Sequence, residues 1–386
     1  MDVRALRERL AAREDDYVAA LETMVNVDCG SYSPDGVNRI ADLAETRFRE
    51  AGWDVERRPH EPADGRAQLG DLLIGRRTGA GSTRVLLVGH MDTVFDDGTA
   101  AERPFRIDDG IARGPGVSDM KGGLLAGFFA VETLQAAGID DYGAITYVCN
   151  PDEEIGSPFS RPLIHDLAGE HDVAFVLEGA RENGDIVSAR KGVTDYDVEV
   201  HGRAAHAGVE PDRGRHAVLR AAHLIVALQA LNGRWPGVTV NVGVVEGGTR
   251  PNVVPERCRL QVDLRSPQRE TLEAAELAVE ELCATTDVEG TSVELHAAAW
   301  HRPMERSERS DRLVDLARGF AAELGFELRD AATGGASDAN TTSAAGTPTL
   351  DGLGPIGGDD HAPGEWLDLA SVVPRTAMLA ALIAAS

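Results

Sequence analysis

Three short apolar segments, each ending in or followed by a histidine or acidic residues, constrain the fold of this chain more than any other feature. RVLLVGH ends at His90, GAITYVC precedes the acidic run 152–154, and DVAFVL precedes Glu178. Short, continuous apolar runs are typical of strands that are buried on both faces. Between the first two segments lies MKGGLLAGFFAVETLQAAG, which is apolar at helical spacing and is closed by Gly138. Strands that alternate with helices predict an α/β domain with a largely parallel sheet.

The pattern changes after about residue 190 and resumes at about residue 302. Between these points the order of predicted elements is strand (TDYDVEVHG), helix (GRHAVLRAAHLIVALQAL), strands (VTVNVGVVEGG and RCRLQVDLR), helix (PQRETLEAAELAVEELCA) and strand (TSVELHAAA). This βαββαβ order is typical of a ferredoxin-like sheet of four strands backed by two helices. We therefore predict one α/β domain over residues 1–190 and 302–386, with a second domain inserted at residues 191–301.

Composition excludes several classes of function. With 64 acidic and 38 basic residues the net charge is −26, which argues against nucleic acid as a partner. The sequence contains no apolar run of about 18 residues, and its charged, amphipathic N-terminus differs from a secretion signal. We therefore expect a cytoplasmic protein that does not bind membranes. The acid-rich, lysine-poor composition is typical of salt-adapted proteins, although an arginine-favouring genome would give the same bias. Four scattered cysteines without a CxxC pair indicate neither a thiolate zinc site nor a disulfide scaffold.

Five side chains are candidates for one metal centre. His90, Glu154 and Glu178 follow predicted strands, Asp119 lies just before a predicted helix, and His361 lies in the loop GGDDHAPGE. Taken singly, each has a simpler explanation, such as a helix N-cap for Asp119 or a loop histidine for His361. Together, two histidines and three carboxylates at the carboxyl edge of a sheet suit two divalent cations that share a bridging carboxylate. Zinc fits this donor set, with cobalt or manganese as alternatives.

Two further residues are expected to assist these ligands. Asp92 lies two residues after His90 and can accept a hydrogen bond from the other ring nitrogen of the histidine. The alternative for Asp92 is an ordinary solvated acid in a turn. Glu153 and Glu154 are adjacent and cannot both face one metal equally. We therefore expect one of them to bind metal and the other to accept a proton from the water that attacks the substrate.

Seven motifs in a fixed order carry a family resemblance: GHMDTV, GVSDMKGG, NPDEEIGS, VLEGA, GRAAHAG, GGTRPNVVP and GGDDHAPGE. In this order they resemble the M20 family of metallopeptidases, and most closely its glutamate carboxypeptidase (carboxypeptidase G2-like) group. The resemblance spans almost the whole chain. It implies a zinc-binding α/β catalytic domain with an inserted βαββαβ dimerisation domain.

The resemblance also implies a role for each candidate ligand. It implies two zinc ions per subunit, with Asp119 bridging them. One zinc would be bound by His90 and Glu178, the other by His361 and Glu154. The general base would be Glu153, and Asp92 would orient His90. The peptide bond after Asp119 would be cis.

Further roles that the resemblance implies concern the substrate. In a homodimer, His206 of the GRAAHAG motif would reach the active site of the other subunit and stabilise the oxyanion, whereas without the resemblance it would be a loop histidine that caps the following turn. The resemblance also implies a set of residues that bind the substrate, although each could instead form an ordinary ion pair at the surface or at a domain junction. These residues are Arg265, Asn252, the backbone of Gly335, Arg302 and Lys191.

The sequence therefore predicts an enzyme that cleaves an amide bond next to a free carboxylate and releases a C-terminal amino acid from a small peptide or an N-acyl amino acid. An N-acyl amino acid deacylase or desuccinylase would use the same residues with a different acyl pocket. A non-catalytic peptide- or metal-binding relative, and an acidic protein that buffers cations, are the remaining alternatives.

Overall fold

The computed structural model describes residues 1–63 and 65–386 of the chain. The helices of this part are α1 (Val3–Ala11), α2 (Glu14–Val25), α3 (Pro34–Glu50), α4 (Thr99–Glu102), α5 (Gly123–Ala136), α6 (Arg161–Gly169), α7 (Ala217–Gln229), α8 (Arg269–Ala284), α9 (Glu308–Leu324), α10 (Asp338–Ala344) and α11 (Leu369–Ala385). Its strands are β1 (Asp54–Arg58), β2 (Leu72–Thr78), β3 (Arg84–His90), β4 (Arg106–Asp108), β5 (Ile111–Arg113), β6 (Ala144–Asn150), β7 (Val173–Val176), β8 (Ile186–Arg190), β9 (Gly192–His201), β10 (Thr239–Gly247), β11 (Arg257–Ser266), β12 (Ser292–His301), β13 (Asp330–Thr333), β14 (Thr349–Leu350), β15 (Gly357–Gly358) and β16 (Trp366–Asp368).

The described residues fold into two units. The first unit consists of Met1–Ser188, Arg306–Ala332 and Ser337–Ser386. The second consists of Ala189–Glu305 together with the short segment Thr333–Ala336. The chain therefore leaves the first unit, builds the second, and returns, and the two are described separately below.

A six-stranded sheet forms the centre of the first unit, with the strand order β1-β2-β6-β3-β7-β14. The four strands β6, β3, β7 and β14 run parallel to one another, as the apolar runs predict. Strands β1 and β2 add an antiparallel edge that the sequence did not indicate. Strand β1 (DVERR) is polar and partly exposed, so it carries no apolar run from which a strand could be predicted.

Helices cover this sheet. Most side chains of α5 are buried around its whole circumference, as expected of a helix in the middle of a core. The C-terminal helix α11 is also largely buried and packs against α1, α5 and α9. The core of the first unit therefore joins the N-terminal helix to the last helix of the chain.

The N-terminal segment forms two helices, although its pattern reads as one amphipathic helix. Helix α1 ends at Ala11, and α2 begins at Glu14. The guanidinium of Arg13, at the break, lies 4.5 Å from the centre of the Phe129 ring and donates to Glu132 at 2.7 Å. These contacts with α5 hold the chain at the break. They cannot be predicted from the local spacing of apolar residues, because they join distant parts of the sequence. None of the helices in the described part of the chain could span a bilayer.

A second, small sheet in the first unit has the order β15-β16-β5-β4. Its strands are only two or three residues long, which is too short for any periodicity in the sequence. The sheet matters for the site because the loop between β15 and β16 contains His361, and β5 leads into the segment that contains Asp119.

The second unit has the predicted βαββαβ order. Strands β9 to β12 form an antiparallel sheet in the order β10-β11-β9-β12, the ferredoxin-like arrangement, and α7 and α8 pack against it. Buried and partly exposed residues alternate along β9 and β11, because only one face of the sheet meets the helices. The fold is therefore α/β with an inserted ferredoxin-like unit, as the sequence predicts.

Candidate metal centre

Three neighbouring parallel strands bring the predicted ligands to one edge of the first sheet. His90 is the last residue of β3, and Glu178 comes two residues after β7. Glu153 and Glu154 begin a short helical turn, Glu153–Ile155, just after β6. Because β6, β3 and β7 are adjacent and parallel, these side chains converge at their shared carboxyl edge.

The other two candidates come from the segments around the small sheet. Asp119 lies in an irregular helical turn, Val117–Gly122, directly before α5, and its bond to Met120 is cis as expected. His361 adopts a left-handed conformation with a φ of 63°. Non-glycine residues adopt this conformation rarely, and mostly in functional or tightly constrained loops.

The carboxylate of Asp119 lies between the two imidazoles. Its Oδ1 is 3.1 Å from His90 Nε2, and its Oδ2 is 3.0 Å from His361 Nε2. Each carboxylate oxygen therefore faces a different histidine, as a carboxylate that bridges two cations must do.

Glu154 and Glu178 complete two groups around this bridge. Glu154 Oε2 lies 3.1 Å from His361 Nε2, and Glu178 Oε1 lies 3.8 Å from His90 Nε2. Ligand atoms of His90, Asp119 and Glu154 fall within 4.8 Å of one another, and so do those of His90, Glu153 and Glu178. The structure thus brings all five predicted ligands and the predicted base together.

The electrostatics of this cluster reflect carboxylates crowded in a buried place. Burial and the charge of Asp119 raise the pKa of Glu178 to about 8, and burial with the charge of Glu178 raises the pKa of Glu153 well above its usual range. Burial would also raise the pKa of Asp119, but the hydrogen bonds from His361 and His90 lower it. Hydrogen bonds to Asp119 and Glu154 raise the pKa of His361 to about 10. The cluster therefore attracts positive charge strongly.

One atom shows that the donor set fits metal ions. Glu154 Oε1 is buried, and none of the described residues donates a hydrogen bond to it. A buried carboxylate oxygen without a partner is costly, and a divalent cation would supply the missing interaction. Two imidazoles and three carboxylates are the donors that zinc accepts readily, so the residues fit two such ions.

Asp92 supports both sides of the centre. The main-chain oxygen of Asp92 lies 2.9 Å from His90 Nδ1, and its carboxylate Oδ1 lies 3.4 Å from the same nitrogen. The buried carboxylate also accepts from Ser31 Oγ at 2.6 Å, from Glu153 N–H at 3.1 Å and from Glu154 N–H at 3.2 Å. Asp92 therefore holds the imidazole of His90 and the turn of the two glutamates in one arrangement.

Sequence reasoning missed Glu365. This side chain is 1% exposed and accepts from three backbone N–H groups, those of Gly116 at 2.8 Å, Ser118 at 2.8 Å and Asp119 at 3.0 Å. It fixes the main chain that carries the bridging carboxylate. The one feature of the sequence that could have indicated Glu365 is its position as the last residue of the GGDDHAPGE motif.

Replacing Glu365 by alanine should weaken zinc binding by about 10- to 100-fold, the usual cost of losing a residue that orients a metal ligand. Three buried N–H groups would lose their acceptor, and Asp119 would no longer be held in place. Competition with a chromophoric chelator measures the affinity. Glu50→Ala, an exposed glutamate of the same unit, is the matched control. Equal zinc affinity in the two variants would contradict this role.

Asp152 and Asp338 secure the acidic turn, and neither role was predicted. Asp152 accepts from Phe159 N–H at 2.6 Å and from Ser160 Oγ at 2.6 Å, which ties the turn to the start of α6. Asp338 accepts from the side chains of Asn150 and Ser157, which flank the turn on both sides. Both aspartates are buried, and burial raises the pKa of Asp152 to about 6 and of Asp338 to about 7.

The second unit carries His206 and Asn252 on two paired loops. The main chain at His206 forms a bridge with Val253, and Ala207 N–H donates to the oxygen of Asn252 at 3.0 Å. The ring nitrogen Nδ1 of His206 accepts from Gly208 N–H at 3.2 Å, and the side chain is exposed. The structure thus places these two predicted residues side by side.

Arg265 and Gly335 also lie close together in the second unit. The guanidinium of Arg265 donates to the carboxylate of Asp263 and, through Nη1, to the oxygen of Gly334 at 2.8 Å. The oxygen of Gly335 accepts from Arg190 Nη1 at 3.1 Å. The segment that contains both glycines is therefore anchored by two arginines.

The remaining two candidates of this unit have partners as well. Arg302 Nη1 donates to both carboxylate oxygens of Glu276, at 3.0 and 2.9 Å. Lys191 Nζ donates to the oxygen of Gly237 at 2.7 Å. These contacts are of the ordinary structural kind that the sequence left open, and a role in substrate binding stays a prediction for both.

Comparisons with known proteins agree on one family. The profile of peptidase family M20/M25/M40 matches residues 86–385. The chain is 29% identical over 369 residues to carboxypeptidase G2 of Pseudomonas sp. (strain RS-16). This alignment covers 95% of this chain and 88% of that protein. It is 29% identical over 262 residues to acetylornithine deacetylase of Myxococcus xanthus, covering 64% of this chain and 66% of that protein. The fold matches aminopeptidase PepT from Bacillus cereus ATCC 10987 with a TM-score of 0.77 at 24% identity, over 96% of this chain and 98% of that one.

Proposed function

The chain belongs to peptidase family M20/M25/M40, and from this premise we propose that it is a two-zinc hydrolase that cleaves an amide bond next to a free carboxylate and releases a C-terminal amino acid. The observation that carries the proposal is the Asp119 carboxylate, which lies 3.1 Å from His90 Nε2 and 3.0 Å from His361 Nε2. The similarity to carboxypeptidase G2 over 95% of the chain supports the type of reaction.

The proposed ligands divide into two sets that share Asp119. His90 and Glu178 would hold one ion, since His90 Nε2 lies 3.8 Å from Glu178 Oε1. His361 and Glu154 would hold the other, since His361 Nε2 lies 3.1 Å from Glu154 Oε2. When bound, the ions would polarise the amide carbonyl and lower the pKa of a water molecule. Cobalt or manganese would suit the same donors.

Glu153 is the proposed general base. Its backbone N–H donates to Asp92, which fixes the start of its side chain, and its carboxylate lies within 4.8 Å of ligand atoms of His90 and Glu178. In this position it would accept a proton from the attacking water and donate it to the nitrogen of the leaving amino acid. Asp92 would hold both the base and His90 in position.

Residues of the second unit are proposed to act on the substrate. The exposed imidazole of His206, contributed to the partner subunit of a homodimer, would donate a hydrogen bond to the developing oxyanion. Arg265, with Asn252 and the backbone of Gly335, would bind the free carboxylate, and Arg302 and Lys191 are further candidates. The homodimer, a cytoplasmic location and adaptation to salt are predictions that the sequence alone supports.

A second candidate function is an N-acyl amino acid deacylase or desuccinylase. The 29% identity to acetylornithine deacetylase over 64% of the chain favours it, because such an enzyme would use the same metal-binding residues. A binding protein without activity is a weaker alternative, because the five proposed ligands and the base are all present and gathered in one place.

A substrate panel tests the proposal. Zinc- and cobalt-loaded protein, at low and high salt, would be assayed against N-acyl glutamates, N-acetyl amino acids and dipeptides. We expect hydrolysis of compounds with a free terminal carboxylate and little hydrolysis of the same compounds with a terminal amide. Equal rates for acid and amide would contradict the proposal. Fastest turnover of an N-acetyl amino acid would favour the deacylase, and binding without turnover would favour the non-catalytic alternative.

A further inference from the structure

A cleft of about 230 Å³ lies beside the proposed metal centre in the first unit. Its walls are residues 30–33 and 93–96, together with Glu154 and Ile155. Because Glu154, a proposed metal ligand, forms part of its wall, the cleft borders the proposed metal centre. Its volume suits one substituent of a substrate better than a whole drug-sized ligand, for which pockets of about 300 Å³ or more are usual.

The walls of the cleft are held by the main chain. Gly30 and Thr93 form a parallel bridge, and Thr93 N–H donates to the oxygen of Cys29 at 2.9 Å. The two segments approach so closely that a Cβ on Gly30 would lie 2.5 Å from the oxygen of Phe95. A side chain at this position would push the walls apart, so the shape of the cleft is fixed.

The same walls are tied to the catalytic residues. Ser31 Oγ donates to Asp92 at 2.6 Å, and the carboxylate of Asp92 also accepts from the N–H groups of Glu153 and Glu154. One buried carboxylate therefore positions the cleft, the proposed base and a proposed metal ligand. A group bound in the cleft would be held at a constant distance from the reacting bond.

Apolar side chains are exposed in this cleft. Tyr32 is 67% exposed and Val94 is 40% exposed, and Ile155 is partly buried beside them. In the described part of the first unit, the other large hydrophobic side chains with comparable exposure are Met1 at the chain end and Ile107. Single exposed apolar residues are ordinary, but a pair that lines a cleft at a reaction centre indicates a ligand.

The charge of the lining determines which part of a substrate fits. Asp96 carries a carboxylate, Glu154 is a proposed metal ligand whose charge a bound ion would offset, and none of the residues that line the cleft is basic. The guanidinium of Arg103 lies 4.7 Å from the centre of the Phe95 ring and donates to the oxygen of Ala362 at 3.4 Å. The free carboxylate of the leaving amino acid would be repelled by Asp96 and would lack a partner there. The part of the substrate that suits the cleft is therefore uncharged and apolar.

We propose that this cleft binds the acyl group of the substrate and that Tyr32, Val94 and Ile155 make it favour an uncharged aromatic or apolar acyl group over an anionic one such as succinyl. The inference rests on the proposed function, since it names the acyl side of the same amide bond. Tyr32 would pack against an aromatic acyl group, and Asp96 would disfavour a carboxylate at its end.

The test compares acyl groups joined to one amino acid. Wild-type protein should hydrolyse N-benzoylglutamate with a higher kcat/KM than N-succinylglutamate. Tyr32→Ala should lower kcat/KM for the benzoyl substrate by about five- to tenfold, mainly through KM, and leave N-acetylglutamate within about twofold. Val94→Thr keeps the shape of its side chain and should give a smaller decrease in the same direction. Asp96→Asn should raise kcat/KM for N-succinylglutamate by about two- to fivefold.

Ile107→Ala is the matched control, because Ile107 is an exposed apolar residue of the same unit outside the cleft. If Tyr32→Ala and Ile107→Ala show the same benzoyl-to-acetyl ratio, or if the wild type prefers succinyl, the inference is overturned while the proposed function stands. If no substrate is hydrolysed, the proposed function fails. The role of the cleft can then still be tested by measuring how tightly the protein binds N-benzoylglutamate. N-benzoylglutamate should then bind Glu153→Gln more tightly by calorimetry than it binds Glu153→Gln/Tyr32→Ala, and equal affinities would overturn the inference.

Discussion

Replacing Glu153 by glutamine is expected to lower kcat by about 10³- to 10⁴-fold, at the upper end of what a general base contributes. Glutamine keeps the size of the side chain and leaves the backbone hydrogen bond to Asp92 intact. Only the ability to accept the proton is lost. Both metal ions should therefore stay bound, and a metal assay of the purified variant alongside the kinetics checks this.

Glu154→Gln is the matched comparison, because the two residues are neighbours in one turn. Glu154 Oε2 lies 3.1 Å from His361 Nε2, so we expect this variant to lose metal affinity as well as activity. The opposite pattern, with metal lost in Glu153→Gln and retained in Glu154→Gln, would show that the two roles are exchanged. Full activity in Glu153→Gln would end its assignment as the base.

Replacing Asp119 by asparagine is expected to weaken zinc binding more than about 100-fold and to abolish activity, a larger loss than removal of a residue that only orients a ligand. The amide removes a negative charge and turns one oxygen into a nitrogen that cannot bridge two cations. Asp119 has contacts with both histidines, so both ions should be affected. Calorimetry with zinc would measure the number of sites and their affinities.

Asp166→Asn is the control for this substitution, because its side chain is 81% exposed. Thermal unfolding without metal should be similar for both variants, so that the difference lies in metal binding. Loss of only one site in Asp119→Asn, with the other unchanged, would contradict a shared bridging ligand.

The parts of the site that follow strands could be predicted from the sequence. His90, Glu154 and Glu178 each come at or after a short apolar run, and such runs predict buried parallel strands without any knowledge of distant contacts. The parallel arrangement of β6, β3 and β7 then places them together. The joint roles of Asp119 and His361 depended on the family resemblance, because their own loops carry no comparable periodic signal.

What could not be predicted depends on contacts between distant parts of the chain. Glu365 binds backbone groups about 250 residues away, at Gly116, Ser118 and Asp119. The small sheet that presents His361 is made of strands too short to leave a pattern, and β1 is too polar to read as a strand. Each feature depends on a partner that local sequence does not reveal.

The acidic run 152–154 contains residues whose place in the site could be predicted and one whose surroundings could not. Carboxylates crowded just after a strand must either be solvated or have something bound between them, and Glu153 and Glu154 lie in the cluster with His90. The third acid, Asp152, turns away from the cluster and accepts from Phe159 N–H and Ser160 Oγ. Three adjacent carboxylates thus have three different surroundings, which only the folded chain distinguishes.

Titration of metal-free protein with zinc tests the central claim most directly. The protein would be stripped with a chelator, and bound zinc and hydrolysis of an N-acyl amino acid would be measured at each addition. We predict tight binding that saturates at two zinc ions per chain, with activity absent in the stripped protein and restored as the sites fill. Full activity without metal, or many weak sites spread over the acidic surface, would contradict a two-metal centre built around Asp119.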